Sequence, residues 1–374
     1  MIYLDNAATT QVSEKVLEEM KPFIKKKFGN PSSFYKIGAE SKLAVDKARK
    51  RVADAIDTVP ERIFFTSGGS ESDNWAIRSA LESGKKHIIV SSFEHHAILN
   101  LCKYLEKHGY KVTYLPVSKD GFVKPSDVSD NITSDTAIVS VMMANNEIGT
   151  IQNIDEIAKI CKKHDVLFHT DAVQATGHIY YSADNLNVDM LSISGHKFHG
   201  PKGIGILYSR VPMTPLIFGG QQESHLRGGT ENISGIVGIG KAIELAAENL
   251  GKNQTYVKNL RSIMVERLSK LEGFHINGNM EYRLPGNLNV RFDNIESEAL
   301  IEYLNLHNIC VSAGSACNTA DKEPSHVLKA IGLTNDQIHS SVRITIDAVN
   351  TEKEIVKACD TIEKGVKKLR KINL

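Results

Sequence analysis

The chain has 374 residues, 41% hydrophobic and 24% charged, with 45 Lys+Arg against 44 Asp+Glu. That length exceeds what one core usually fills, and the balanced charge offers neither a basic stripe for nucleic acid nor a polybasic segment for a membrane surface. No apolar run approaches the roughly 20 residues that span a bilayer. The opening MIYLDNAATT lacks a signal-peptide pattern, and the scattered Cys102, Cys161, Cys310, Cys317 and Cys359 contain no CxxC pair for a disulfide framework or structural zinc, so a reducing cytoplasm is the expected setting.

In chain order, Lys25-Lys26-Lys27 ends an amphipathic stretch and reads as a solvated helix C-terminus. Between about residues 60 and 210, β-rich runs at 63–65, 87–91, 111–117, 137–144, 166–171, 190–194 and 204–208 alternate with helical patterns. Ile98, Leu101, Cys102 and Leu105 form one such pattern, and Ile154, Ile157, Ala158 and Cys161 another. Strands alternating with helices, and lacking polar alternation of their own, predict a mainly parallel sheet covered on both faces. Two long helical stretches follow, near 233–250 and 253–271. Strand-like 287–292, a helix near 297–307, strand-like 310–313 and 342–346, and an amphipathic helix over 351–371 then suggest a smaller α+β domain.

Ligands of open α/β sheets bind at the carboxyl ends of the strands, so the residues after each strand are the place to look. The first turn, Thr66-Ser67-Gly68-Gly69-Ser70, feeds a helix and could offer N–H groups to a phosphate or serve as a plain cap. His95 follows the second strand, and is either an acid/base or a satisfied loop histidine. Asp171 ends the hydrophobic VLFHTD. A carboxylate there needs a cation such as a pyridinium nitrogen to offset its desolvation; otherwise it is a helix N-cap. The loop Ser194-Gly195-His196-Lys197-Phe198-His199-Gly200-Pro201 is neither a Walker A loop nor a HExxH helix. A lysine held among partly buried groups can form a Schiff base, and Lys197 is the candidate. Finally, Ser312-Ala313-Gly314-Ser315-Ala316-Cys317 is too small in side chains to pack tightly. It is expected to be mobile, with Cys317 either structural or reactive.

Taken together these segments resemble the NifS/IscS-type cysteine desulfurases over nearly the whole chain. The matching stretches are YLDNAATT, FGNPSS, FTSGGSESDN, the His95 loop, ANNEIG, HTDAVQATG, SISGHKFHGPKGIG, RGGTENISGIVG, PGNLNV, SAGSACNTADKEPSHVL and SSVRITI. The cysteine segment looks like the long loop of the group I members. The resemblance implies an α/β, fold-type I, pyridoxal-phosphate (PLP) enzyme of the class-V aminotransferase-like family. It would have a large domain with a mixed, mainly parallel seven-stranded sheet (residues 13–254) and a smaller α+β domain (1–12 and 255–374). Lys197 would carry PLP and act as base. Asp171 would pair with the pyridine nitrogen, Gln174 with the phenolic oxygen, and Gly69, Ser70, Ser194 and His196 with the phosphate. Thr230 would reach that phosphate from the partner subunit. His95 would stack on the ring and move protons. Asn146 and Arg343 would fix the substrate carboxylate, and Cys317 would take the sulfur of L-cysteine as a persulfide, leaving alanine.

A homodimer, a sulfur-acceptor or scaffold protein, and no metal beyond a transient iron–sulfur contact at Cys317 are likewise implied, with no direct role for nucleic acid or membrane. Iron–sulfur assembly, tRNA thiolation and cofactor synthesis all draw on such chemistry. The alternatives are a lyase for selenocysteine or cysteine sulfinate, and a catalytically idle homologue acting as a scaffold. The chain departs from the family pattern at Tyr35, where a histidine is usual. It also departs at Gln221, Ser224 and His225, where glycine, arginine and glycine are usual, and at Asp347, where glycine is common.

Overall fold

The structure, a computed structural model, describes residues 1–313 and 324–372. The chain starts with a short strand β1 (Ile2–Tyr3), helix α1 (Glu14–Lys25), capped by the Ser13 side chain, and helix α2 (Lys36–Ala55). There follow β2 (Ile63–Thr66), α3 (Gly69–Leu81), β3 (His87–Ser91), α4 (His96–Glu106), β4 (Lys111–Leu115), α5 (Pro125–Asn131) and β5 (Thr136–Ser140). After these come α6 (Ile154–Lys163), β6 (Leu167–Asp171), β7 (Met190–Ser194) and β8 (Gly205–Ser209). Among the described residues β2 to β8 form one seven-stranded sheet in the order β2-β8-β7-β6-β5-β3-β4. β8 is antiparallel to both neighbours and the other pairs are parallel. This is the mixed, mainly parallel α/β architecture the sequence predicts.

The strands lack polar alternation because both faces are covered. Ile88 and Val90 pack among Trp75, Ile77 and Ile98 of α3 and α4, while Ile89 between them faces the side of Ala48, Val52, Ile157 and Cys161 from α2 and α6. Successive side chains of a strand point to opposite faces, so an apolar run is what two helical layers require. Two strands are shorter than expected. β4 stops at Leu115, before Pro116, which has no N–H for a ladder. β5 stops at Ser140, although Val141 and Met143 still donate to His169 O and Asp171 O at 3.2 and 2.8 Å.

The helical stretches expected at 233–250 and 253–271 are in fact one helix, α7 (Ile233–Leu268). No proline separates them, and a lone Gly251 costs only about 1 kcal/mol relative to alanine, too little to break a helix buried at both ends. Ile236, Ile239 and Ile243 of α7 pack on the large sheet. Val257, Leu260, Met264 and Leu268 belong to a second core with Leu288, Val290, Val342 and Ile344. The expected domain boundary near residue 254 thus falls inside one continuous helix.

That second core covers an antiparallel sheet, β12-β10-β9, made of β9 (Phe274–Ile276), β10 (Asn287–Phe292) and β12 (Ser341–Thr345). The strand expected at 310–313 is β11 (Ile309–Cys310), which pairs in parallel with β1; Ser312 then bridges to Arg343. Helices α8 (Ser297–Leu306), α9 (His326–Ala330), α10 (Asn335–His339) and α11 (Glu352–Ile372) complete the described chain.

Candidate active site

The site gathers where β6 and β7 end, α3 begins, and the segment from Asp5 to Gln11 crosses between the two sheets. Lys197 lies in a single 3-10 turn directly after β7. Its Nζ donates to the carbonyls of Ala7 and Ala8 at 2.7 and 2.8 Å. Gln174 Nε2 donates to the same Ala7 carbonyl at 3.0 Å. His178 Nε2 lies 3.0 Å from Lys197 O. The two carbonyls hold the amine in place.

Asp171 ends β6, 5% exposed, and accepts from Val173 N–H at 2.8 Å. Burial pushes its pKa up to about 6, against the opposing pull of the Val173 N–H and Lys197. Behind it Asp73 of α3, 1% exposed, is pushed well above the carboxylate range by burial first and the Asp171 charge second. Two adjacent carboxyls in low dielectric resist ionising together, and Asp73 is the member raised further. The ring of His169, held by Ser140 Oγ at 2.8 Å and Ser192 Oγ at 2.9 Å, is 3.7 Å from Asp73 Oδ1. Burial lowers its pKa to about 3, so it stays neutral. A third buried carboxyl, Glu94, is pushed up to about 8 by burial and accepts from Met142 N–H at 2.8 Å.

His95 caps α4, its Nδ1 accepting from Ala97 N–H at 3.1 Å. With Nδ1 an acceptor, the ring proton sits on Nε2. Burial, then Lys197, His96 and His326, lower its pKa to about 4.

Gly69 and Ser70 open α3, whose first turn carries unpaired N–H groups and the positive end of the helix dipole. Ser194, the last residue of β7, is paired with Gly205. A Cβ on Gly205 would come 2.6 Å from Gly68 Cα, so only glycine lets β8 pass this close to the α3 turn. His196 Nδ1 is 3.0 Å from Thr9 Oγ1; burial and the nearby lysines keep its pKa near 4. Thr230 is exposed. Its loop is fastened to α3 by Arg227 Nε, 2.9 Å from Glu71 Oε1.

Arg343 on β12 is 1% exposed. Its Nη2 reaches Asp5 Oδ1 at 2.8 Å and its Nη1 donates to Asn146 O at 3.2 Å, while its buried Nε has no hydrogen-bond partner among the described residues. A buried donor left unpaired costs about 1–3 kcal/mol and marks where an acceptor would be welcome. Backbone bonds run both ways between Arg343 and Ser312, at 2.7 and 3.1 Å. On the other side, Ser325 caps α9 and donates to Glu147 Oε2 at 2.5 Å. His326 packs against His96 with ring centroids 4.6 Å apart and planes tilted by 55°. Residues 314–323, and with them Cys317 and the expected mobility of its segment, lie outside the described residues.

The family pattern described as aminotransferase class-V matches residues 2–357. The chain belongs to the class-V aminotransferase family. A cysteine desulfurase IscS of Methanosarcina thermophila is 48% identical over 377 residues, covering 100% of this chain and 93% of that one. A second, from Dictyoglomus turgidum, is 47% identical over 378 residues, covering 100% and 96%. The solved structure of a NifS-like protein superposes with a TM-score of 0.92 at 42% identity, covering 97% of this chain and 98% of that one. Within the class-V family the chain therefore stands with the NifS/IscS-type cysteine desulfurases, which are PLP-dependent enzymes of fold-type I.

The residues of this class-V chain fit PLP. Asp171 is a buried carboxyl whose burial a cationic ring nitrogen would offset. The α3 turn offers N–H groups to a phosphate, and Lys197, whose charge acts on Asp171, offers an amine close by.

Several contributors escaped sequence reasoning: Asp5 on Arg343, Asp73 behind Asp171, Glu147 under Ser325, and the Ala7 and Ala8 carbonyls. All lie in stretches that matched the family, YLDNAATT, SESDN and ANNEIG, but partnership between distant stretches leaves no mark on spacing. The departures from the family pattern also find their places. Gln221 leads into Glu223, Ser224 and His225, which have φ of 46°, 57° and 66°, a left-handed run secured by Arg49 at 2.7 and 2.9 Å from Glu223. Tyr35 precedes α2 and is exposed. Asp347 pairs with His199 at 2.9 Å.

Proposed function

We propose that the protein is a cysteine desulfurase that takes sulfur from L-cysteine, leaving L-alanine, and carries it as a persulfide on Cys317. The observation behind this reading is the anchoring of both ends of the Cys317 segment at the site: Ser312 is paired with Arg343, and Ser325 is bonded to Glu147.

Lys197, Asp171, Gln174, Gly69, Ser70, Ser194 and His196 would hold PLP, with Thr230 added from a partner subunit. When bound, PLP supplies a sink for the electrons left on the substrate carbon. Arg343, with Asn146, grips the substrate carboxylate by a fork of hydrogen bonds; the free Nε and the Nη2 now on Asp5 are the groups that would do so. Lys197 takes the Cα proton. His95, neutral with its proton on Nε2, is a proton carrier beside the reacting atoms. The Cys317 thiolate attacks the substrate sulfur: an S–S bond forms, the C–S bond breaks, and its electron pair stays on carbon, where protonation gives alanine. Small neighbours suit a cysteine that must then deliver its sulfur to an acceptor protein, such as one engaged in iron–sulfur assembly. A cytoplasmic homodimer is the form in which these roles would be exercised. No described helix is long and apolar enough to cross a membrane.

The test is Cys317→Ser. The variant should keep its bound PLP and still bind L-cysteine, yet form neither alanine nor a protein persulfide. Full desulfuration by this variant would overturn the assignment and favour a lyase that needs no thiol.

A further inference from the structure

His199 lies two residues beyond Lys197, and Asp347 four beyond Arg343. The two side chains join these segments directly, with His199 Nε2 2.9 Å from Asp347 Oδ1. The other ring nitrogen, Nδ1, is 2.9 Å from Gln11 O. A carboxylate and a carbonyl can only accept, so both ring nitrogens are donors and His199 is an imidazolium. The residue is fixed on its backbone too. Its N–H donates to Thr10 Oγ1 at 2.8 Å, and its carbonyl accepts from Ser13 N–H at 3.2 Å. Its φ of 65° is one a bulky side chain adopts only when its surroundings hold it there.

Asp347 is equally constrained. It is 6% exposed, its N–H donates to Asn350 Oδ1 at 2.9 Å, and Asn350 Nδ2 in turn holds Tyr3 O at 3.1 Å. The segment from Asp5 to Gln11 runs between these points, touching Arg343 at one end, Lys197 in the middle and His199 at the other. The ion pair closes this circuit.

We propose that the His199–Asp347 pair is a positioning pair, holding the Lys197 loop against the Arg343 strand so that amine and guanidinium keep the spacing one amino acid needs. This rests on the roles proposed above for Lys197 and Arg343. A partly buried ion pair is weak evidence for stability but a rigid spacer when the backbones of both partners are also held.

Burial pushes the His199 pKa down, yet the hydrogen bond and charge of Asp347 outweigh it and the net shift is upward. Burial raises Asp347, and His199 outweighs that in turn, with a net shift downward. Glu14, Lys15, His178, Lys202 and Glu354 line the same groove, of roughly 1090 Å³. Of these, His178 acts on Asp347 and helps to lower it. The pair is fully present below the ordinary histidine pKa and is lost as pH rises through the raised pKa of His199.

The test uses PLP-loaded enzyme carrying Asp347→Asn, His199→Asn, or both; asparagine tolerates the left-handed backbone at residue 199. Each variant, single or double, should raise KM for L-cysteine by the same roughly tenfold factor near pH 7, with kcat changed less than KM. The ratio of variant to wild-type KM, in which the ionisation of cysteine cancels, should fall toward one at alkaline pH. Additive effects, a ratio independent of pH, or single variants within roughly twofold of wild type would overturn the proposal. Should one single variant fail to fold, the other gives the same readout. Arg343→Ala run alongside separates the two levels: if it leaves KM unchanged, the reading of the site itself fails, whereas a raised KM there with normal pair variants removes the positioning role alone.

Discussion

Asp171 shows how much a single residue's meaning depends on its neighbours. Its place at the end of a hydrophobic strand pointed to a cation partner, but its charge is secured by a residue on another element. Asp73, buried beside it, is pushed well above the carboxylate range, which leaves Asp171 the more readily ionised of the two. A pyridinium about 4 Å away at an effective dielectric of about 20 would gain about 4 kcal/mol from that charge. Asp171→Asn should therefore lower turnover by roughly a thousandfold and weaken PLP retention, read by kinetics and by dialysis against buffer. Lys197, Asp171 and His95 were legible as candidates because each ends or follows a predicted strand, and Arg343 only through the SSVRITI motif that resembles the family. Asp5, Asp73 and Glu147 were not, because a carboxylate looks alike on a wet surface and beside a buried guanidinium.

At the scale of elements, the strands were legible and the long helix was not. Period and composition mark where a strand lies, since each is an apolar run between turns. They do not say whether two helical patterns with compatible faces are one helix, and α7 turns from one core to the other within a single 36-residue helix. Gly251 sits at that transition with open space around its Cα. Gly251→Ala should raise the midpoint of thermal unfolding, by about 1 kcal/mol of stability. Gly251→Pro should lower it by about 3 kcal/mol or more, because it would cut the one helix common to both cores. Calorimetry of the two variants reads the difference in sign.

At the scale of the molecule, Ile217 and Phe218 stand 40% and 85% exposed, in the segment that Gly228 joins by a 2.8 Å bond to Ile217 O, two residues from Thr230. Large apolar side chains exposed beside a site residue suit a subunit interface. Phe218→Glu is expected to shift the proposed homodimer toward monomer in sedimentation and to weaken PLP binding at the same time, since the role proposed for Thr230 depends on the partner subunit. By itself the sequence determined the fold class and most strand positions, and its family resemblance pointed to the lysine, aspartate, histidine and arginine proposed as reactive. The strands follow from local periodicity, and the residue roles from motifs that resemble the family. Only the tertiary structure decided which charges are shared, how the Asp5–Gln11 segment fastens Lys197 to Arg343, and that His199 meets Asp347. Those partners lie up to 338 residues apart, and burial, which sets their protonation, is a property of the packed chain and not of any segment.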